Sequence, residues 1–128
     1  MKPLFLELDE ILAIHRDQIE RYGGSQGVRD MGLLQSALAM PQASFGGQFL
    51  HDDLHIMAAA YLYHLTQNHP FVDGNKRVGT VAAVLFLDLN GIVLDADEDD
   101  FEQLVLSVAQ GKADKAAIAA YLRANSRP

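Results

Sequence analysis

The sequence predicts an all-α domain of about six helices, and three observations predict it. Apolar residues recur at three-to-four spacing in the N-terminal third. Two long apolar runs, Leu54 to Leu65 and Val78 to Leu89, have helical length and almost no polar face. The apolar stretch Ile92-Val93-Leu94 is too short for more than an extended bridge.

The elements follow in order. A first helix runs from about Glu7 to Tyr22, with Leu8, Ile11, Leu12, His15 and Ile19 on one face. Glu7 or Asp9 suits its start and Gly23-Gly24 its end. Asp30 is an N-cap candidate for a second helix reaching Ala39, which Pro41 stops. From Pro41 to Leu50 the helical period is lost and Gly46-Gly47 appears, which reads as a loop or short hairpin. On residues alone the favoured reading is a surface loop tied down by Phe45 and Phe49. A third helix, near Asp52 to Gln67, is apolar on nearly all sides and so belongs at the centre of a bundle. Its partner spans about Asn75 to Leu89, stopped by Asn90-Gly91. Ala58 to Ala60 and Ala82-Ala83 would let the two approach closely. The acidic run Asp95 to Asp100 reads as a solvated loop, since it lacks the glycine and final glutamate of a calcium-binding loop. Helices near Asp100 to Ala109 and Ala113 to Ala124 complete the chain.

Composition narrows the function classes. With 128 residues, 49% hydrophobic, the chain is one domain, residues 1–128, large enough for a real core. The absence of cysteine removes disulfides, thiolate catalysis and Cys-based zinc sites together. A net charge of −7 argues against a general nucleic-acid binder. No apolar run approaches membrane-spanning length and no secretory leader is visible, so a cytoplasmic location is expected.

Between the two central helices lies His69-Pro70-Phe71-Val72-Asp73-Gly74-Asn75-Lys76-Arg77. The start of a helix offers N–H groups without intrahelical partners and a partial positive charge, which favour phosphate. Gly74 lets the backbone come close to a ligand, Lys76 adds a point charge, and Arg77 a planar fork for two phosphate oxygens. Asp73 is a hard oxygen ligand suited to Mg²⁺. His69 is the one residue type here whose unperturbed pKa lies near neutrality, which suits it to take a proton from an attacking hydroxyl. The residues point to transfer of a phosphorus group.

The stretch resembles the Fic/death-on-curing signature His-Pro-Phe-x-(Asp/Glu)-Gly-Asn-(Gly/Lys)-Arg. Tyr22 to Asp30, Gly32 to Leu38 and Pro41-Gln42 resemble the N-terminal half of death-on-curing toxins, so the likeness covers most of the chain. It implies a Fic-type helical bundle with a hairpin flap near Phe45, Gly46 and Gly47 that lines up a target peptide by edge-strand hydrogen bonds. Two positions depart from the AMP-transferring pattern: Lys76 stands where Gly is usual, and Thr80 where a second, phosphate-binding Arg is usual. Lys at this place is the death-on-curing version. It implies a kinase that uses ATP and Mg²⁺ to phosphorylate a threonine of elongation factor Tu, blocking translation. Pro70 and Gly74 are closer to the AMP-transferring version, which keeps that reaction open. A third reading is a module that binds nucleotide or antitoxin without catalysis. No glutamate has a Ser or Thr four residues before it, so the self-inhibitory helix motif of many Fic proteins is missing. The resemblance then implies restraint in trans by an antitoxin whose disordered tail folds into a groove.

The remaining histidines have plainer readings. His51 and His55 are spaced i, i+4, but with His64 they lack the further ligand and orienting partners of a zinc site. His15 reads as a satisfied core histidine. Arg29 and Asp30 match the family's N-terminal segment but show no mechanism in the sequence.

Overall fold

A computed structural model describes residues 2–128. Among them are six α-helices: α1 (Leu8–Tyr22), α2 (Met31–Ala39), α3 (Leu54–Asn68), α4 (Asn75–Leu89), α5 (Glu98–Ala109) and α6 (Lys115–Ala124). None is long and apolar enough to cross a membrane.

The core is centred on α3, which buries Met57 through Leu62, Leu65 and Thr66 and packs against α2, α4, α5 and α6. The alanines of α3 and α4 are buried at this contact as their size predicts. Gly79 is equally necessary. A Cβ there would lie 3.1 Å from Thr66 Oγ1 and 3.2 Å from the carbonyl oxygen of Leu62, a backbone atom that cannot swing aside.

Start signals act as written in the sequence at α2, where the Asp30 side chain accepts from Leu33 N. At α1 the N-cap is Glu7, in a reciprocal capping box with Glu10. The acidic run corrects its expectation as a solvated loop. Asp97 caps α5, and Glu98, Asp99 and Asp100 form its first turn, where carboxylates complement the helix dipole. The expected extended bridge finds a partner: β3 (Val93–Leu94) pairs antiparallel with β4 (Ser126–Arg127).

The segment after α2 is a hairpin, β1 (Ser44–Phe45) and β2 (Gln48–Phe49). Gly46 and Gly47 form its two-residue turn with φ of 60° and 79°, the pair of positive values that matches strand twist. Phe45 does not tie it down, being 82% exposed. Phe49 does, with its ring 5.6 Å from that of Phe5.

Lys115, at the start of α6, lies 3.1 Å from Nε2 of His51 and 3.1 Å from Nε2 of His64. An ammonium only donates, so both rings accept and are neutral. Burial, then Lys115, then His51 push His64 down to about 4, and His51 is lowered by burial and by Lys115. Between the ordinary 6.5 and about 4 the unfolded chain takes up a proton that the folded chain refuses. This contribution is therefore intact above pH 6.5 and lost as pH falls toward 4. Discounted for a half-exposed ring, it is about 1–2 kcal/mol. Urea unfolding at pH 7.5 and 4.5 should show a smaller acid loss for His64→Gln than for wild type. Equal losses would acquit His64.

Candidate active site

The loop between α3 and α4 is shaped by its own side chains. Asn75 is buried at the first position of α4, with its amide turned back onto the loop. Its Oδ1 accepts from Phe71 N at 2.9 Å and its Nδ2 donates to Phe71 O at 3.0 Å. Asn75, read from the sequence as part of a phosphate cradle, therefore contributes a loop brace with its side chain and a free N–H with its backbone. Its Nδ2 also stands 3.5 Å from His69 Nδ1, at the outer limit for a hydrogen bond. Phe71 is buried beneath the loop, with its ring parallel to that of His15 at 3.9 Å.

His15 is a buried, satisfied histidine with a specific duty. Its Nε2 lies 2.8 Å from the Asp73 carbonyl oxygen. Because a carbonyl only accepts, Nε2 carries the proton. One side of α1 thus holds the middle of the loop.

Asp73 is exposed and braced by backbone: Oδ1 accepts from Gly74 N at 2.8 Å and Oδ2 from Ser25 N at 3.2 Å. The turn after α1 presses on this carboxylate. A Cβ on Gly24 would sit 2.6 Å from Asp73 Oδ2, and Gly24 has φ +120°, so only glycine fits. Each carboxylate oxygen keeps a lone-pair direction for a further partner. This fits Mg²⁺, which retains several waters and needs only one or two carboxylates beside phosphate oxygens.

Gly74 is the N-cap of α4, with φ 81°, and no side chain caps this helix. Among the described residues, the N–H groups of Asn75, Lys76 and Arg77 have no acceptor, whereas Val78 N reaches Gly74 O. Three orphan donors at an open helix start are an arrangement that favours an anion. Lys76 is exposed beside them. Arg77 departs from the picture of a free fork. Its Nη1 donates to Gln18 O at 3.2 Å and Nη2 to Gly23 O at 2.9 Å, tying α4 to the end of α1. Three of its five N–H donors are left over.

His69 is exposed at the end of α3 in the left-handed conformation, φ 47° and ψ 54°. It lines a pocket of about 360 Å³ together with every residue from Val72 to Arg77. A larger cleft of about 580 Å³ shares Lys76 and Arg77 and continues over Phe101, Val105 and Leu106 of α5. Thr80 lines this second cleft, and its hydroxyl donates to Lys76 O at 2.8 Å. The predicted flap residues Phe45, Gly46 and Gly47 line neither cleft.

The sequence reading missed the segment that clamps the loop from outside. Val72 N donates to Gly27 O at 3.1 Å, Val28 and Phe71 form an antiparallel bridge, and Arg29 N and Asp30 N both donate to Pro70 O. The nearest sequence signal was Gly27-Val28-Arg29, an apolar residue and an arginine between a glycine and a cap, which has no local meaning without its partner.

The model of the Fic/DOC family matches residues 5–87, a stretch that contains the loop, the start of α4 and the segments that brace them, but not the α5 wall of the larger cleft. The chain is similar to a protein named Toxin Doc from Mycolicibacterium smegmatis, 46% identical over 103 residues that cover 79% of each chain. It is also similar to a protein named Protein kinase doc from Escherichia phage P1, 32% identical over 115 residues that cover 90% of each chain.

Proposed function

Because the chain belongs to the Fic/DOC family, we propose that it is a toxin enzyme that transfers the γ-phosphoryl group of ATP to a protein hydroxyl. The observation that carries this reading is one pocket lined by a histidine, a carboxylate and an open helix start. The name of the phage relative supports a kinase, and the resemblance suggests a threonine of elongation factor Tu as target, in the cytoplasm.

His69 would accept the proton as the hydroxyl oxygen bonds to the γ-phosphorus and the bond to the β,γ-bridging oxygen breaks, releasing ADP. The N–H groups of Asn75, Lys76 and Arg77 would hold phosphate oxygens, with the Lys76 ammonium adding charge. Gly74 keeps the backbone open to them, and Arg77 would contribute from its unengaged edge. Asp73 would hold Mg²⁺, which supplies neutralisation of phosphate charge when bound.

AMP transfer by the same loop, with pyrophosphate leaving, is the second reading. Against it stand Lys76 at the phosphate side and Thr80, whose hydroxyl is turned to the helix backbone. Mass spectrometry of elongation factor Tu after incubation with the protein, ATP and Mg²⁺ separates the readings. One added phosphate supports the kinase, and an added AMP overturns it. ATP binding with no modification of any lysate protein would leave a binding module. For restraint, the cleft over α5 offers an antitoxin tail an apolar floor that leads directly to Lys76.

A further inference from the structure

The left-handed residue at the end of α3 is not a glycine. His69 has φ 47°, and among the described residues it is the non-glycine with positive φ. Side chains other than glycine adopt this conformation at a cost, and such residues persist where their surroundings impose it. The end of α3 also lacks the usual closure. The other α-helices each end with a C-cap N–H donating back to a carbonyl, and α3 shows no such bond.

The missing donors come from a distant side chain. Arg29 Nε donates to His69 O at 2.6 Å and Nη2 donates to Asn68 O at 2.9 Å. The planar guanidinium thus spans two consecutive carbonyls, and its charge lies where the helix dipole is negative. The backbone of the same residue donates to Pro70 O at 2.7 Å. Arg29 therefore grips three successive carbonyls, those of Asn68, His69 and Pro70. Asn68 is tied in turn, its Nδ2 donating to Leu33 O at 3.1 Å. With φ and ψ of His69 fixed, the direction of its Cα–Cβ bond is fixed, and with it the set of positions the imidazole can reach through its rotamers.

We propose that Arg29 is a positioning residue for the transfer reaction: its guanidinium imposes the left-handed turn that aims His69. Without it, two helix-end carbonyls lose their donors and His69 is free to relax to negative φ, which swings the ring away from the pocket. A displacement of about 1 Å at a reacting group costs about a hundredfold in rate. Nucleotide affinity should be spared, because the phosphate donors sit on α4 and their braces, Asn75, His15 and Arg77, do not touch Arg29.

This inference rests on the reading of His69 as the base, so the test carries a readout that needs no activity. Steady-state transfer is measured for wild type, Arg29→Ala, Arg29→Lys and His69→Ala, using ATP and elongation factor Tu. The backbone couplings that report positive φ at His69 are measured by NMR on the full chain. Arg29→Ala should lower kcat about ten- to a hundredfold with the KM for ATP within about twofold. The left-handed couplings should disappear with it. Arg29→Lys, which can reach one carbonyl, should recover part of both, and it keeps the test open if the alanine variant folds poorly. Left-handed couplings that survive in Arg29→Ala overturn the inference whatever the kinetics. So does a kcat within twofold of wild type while His69→Ala is dead. If His69→Ala itself is active, the base reading falls and the couplings alone decide what Arg29 does.

Discussion

His69→Ala is expected to abolish modification of the target while nucleotide affinity stays nearly unchanged. The ring stands exposed at the pocket rim, ahead of the α4 N–H groups that would hold phosphate, so it can meet a hydroxyl without carrying the ligand. Removing a general base costs about a hundred- to ten-thousandfold in rate. The fold should be indifferent, since the left-handed turn is held through the backbone carbonyl of this residue and not its imidazole. Rates come from phosphate incorporation and affinity from calorimetry. A variant that keeps a tenth of the wild-type rate would remove His69 from the role of base. A parallel loss of ATP affinity would make it a ligand-holding residue instead.

The second large effect is expected at Lys76, where charge should hold phosphate directly. Lys76→Ala should weaken ATP binding and phosphoryl transfer together, by about 1.5–3 kcal/mol for a lost charge-assisted contact. Arg77 cannot take over fully, because two of its donors are already on Gln18 O and Gly23 O. Lys76→Gly combined with Thr80→Arg should move the loop toward AMP transfer, since it opens the backbone and supplies a second phosphate fork at α4. Calorimetry on Lys76→Ala is decisive for the first part. Unchanged affinity would show a solvated lysine.

What was legible in the sequence was whatever is local. α4 begins at Asn75 and ends at Leu89 as its apolar run and the Asn90-Gly91 stop imply, and Asp30 caps α2. Helix starts marked by acidic residues are misplaced by two positions in the sequence reading, late at α5 (Asp100 instead of Glu98) and early at α6 (Ala113 instead of Lys115). There a carboxylate serves as cap or dipole partner, and charge alone does not say which. The chemistry-bearing residues of the loop were visible because they are contiguous. Their division of labour was not. That Asn75 braces Phe71, that Arg77 reaches α1 and that His15 holds Asp73 depends on contacts between residues up to 59 positions apart in the chain. Gly24 illustrates the limit well. In the sequence it is the second glycine of a helix stop, and in the fold it makes room for a carboxylate from the other half of the chain.

Gly79 has a consequence for how such a site can be silenced. It seats α4 against the backbone of α3, so the loop is a short link between two helices whose separation is fixed by hard contact. The middle of the loop is held as well, by His15 on the Asp73 carbonyl, Asn75 on Phe71 and the Gly27–Asp30 segment, so a large displacement of the loop needs these contacts to break together. An inhibitor of the proposed site would then act by occupancy, covering the pocket while the domain stays folded, and its removal would leave the loop already in shape.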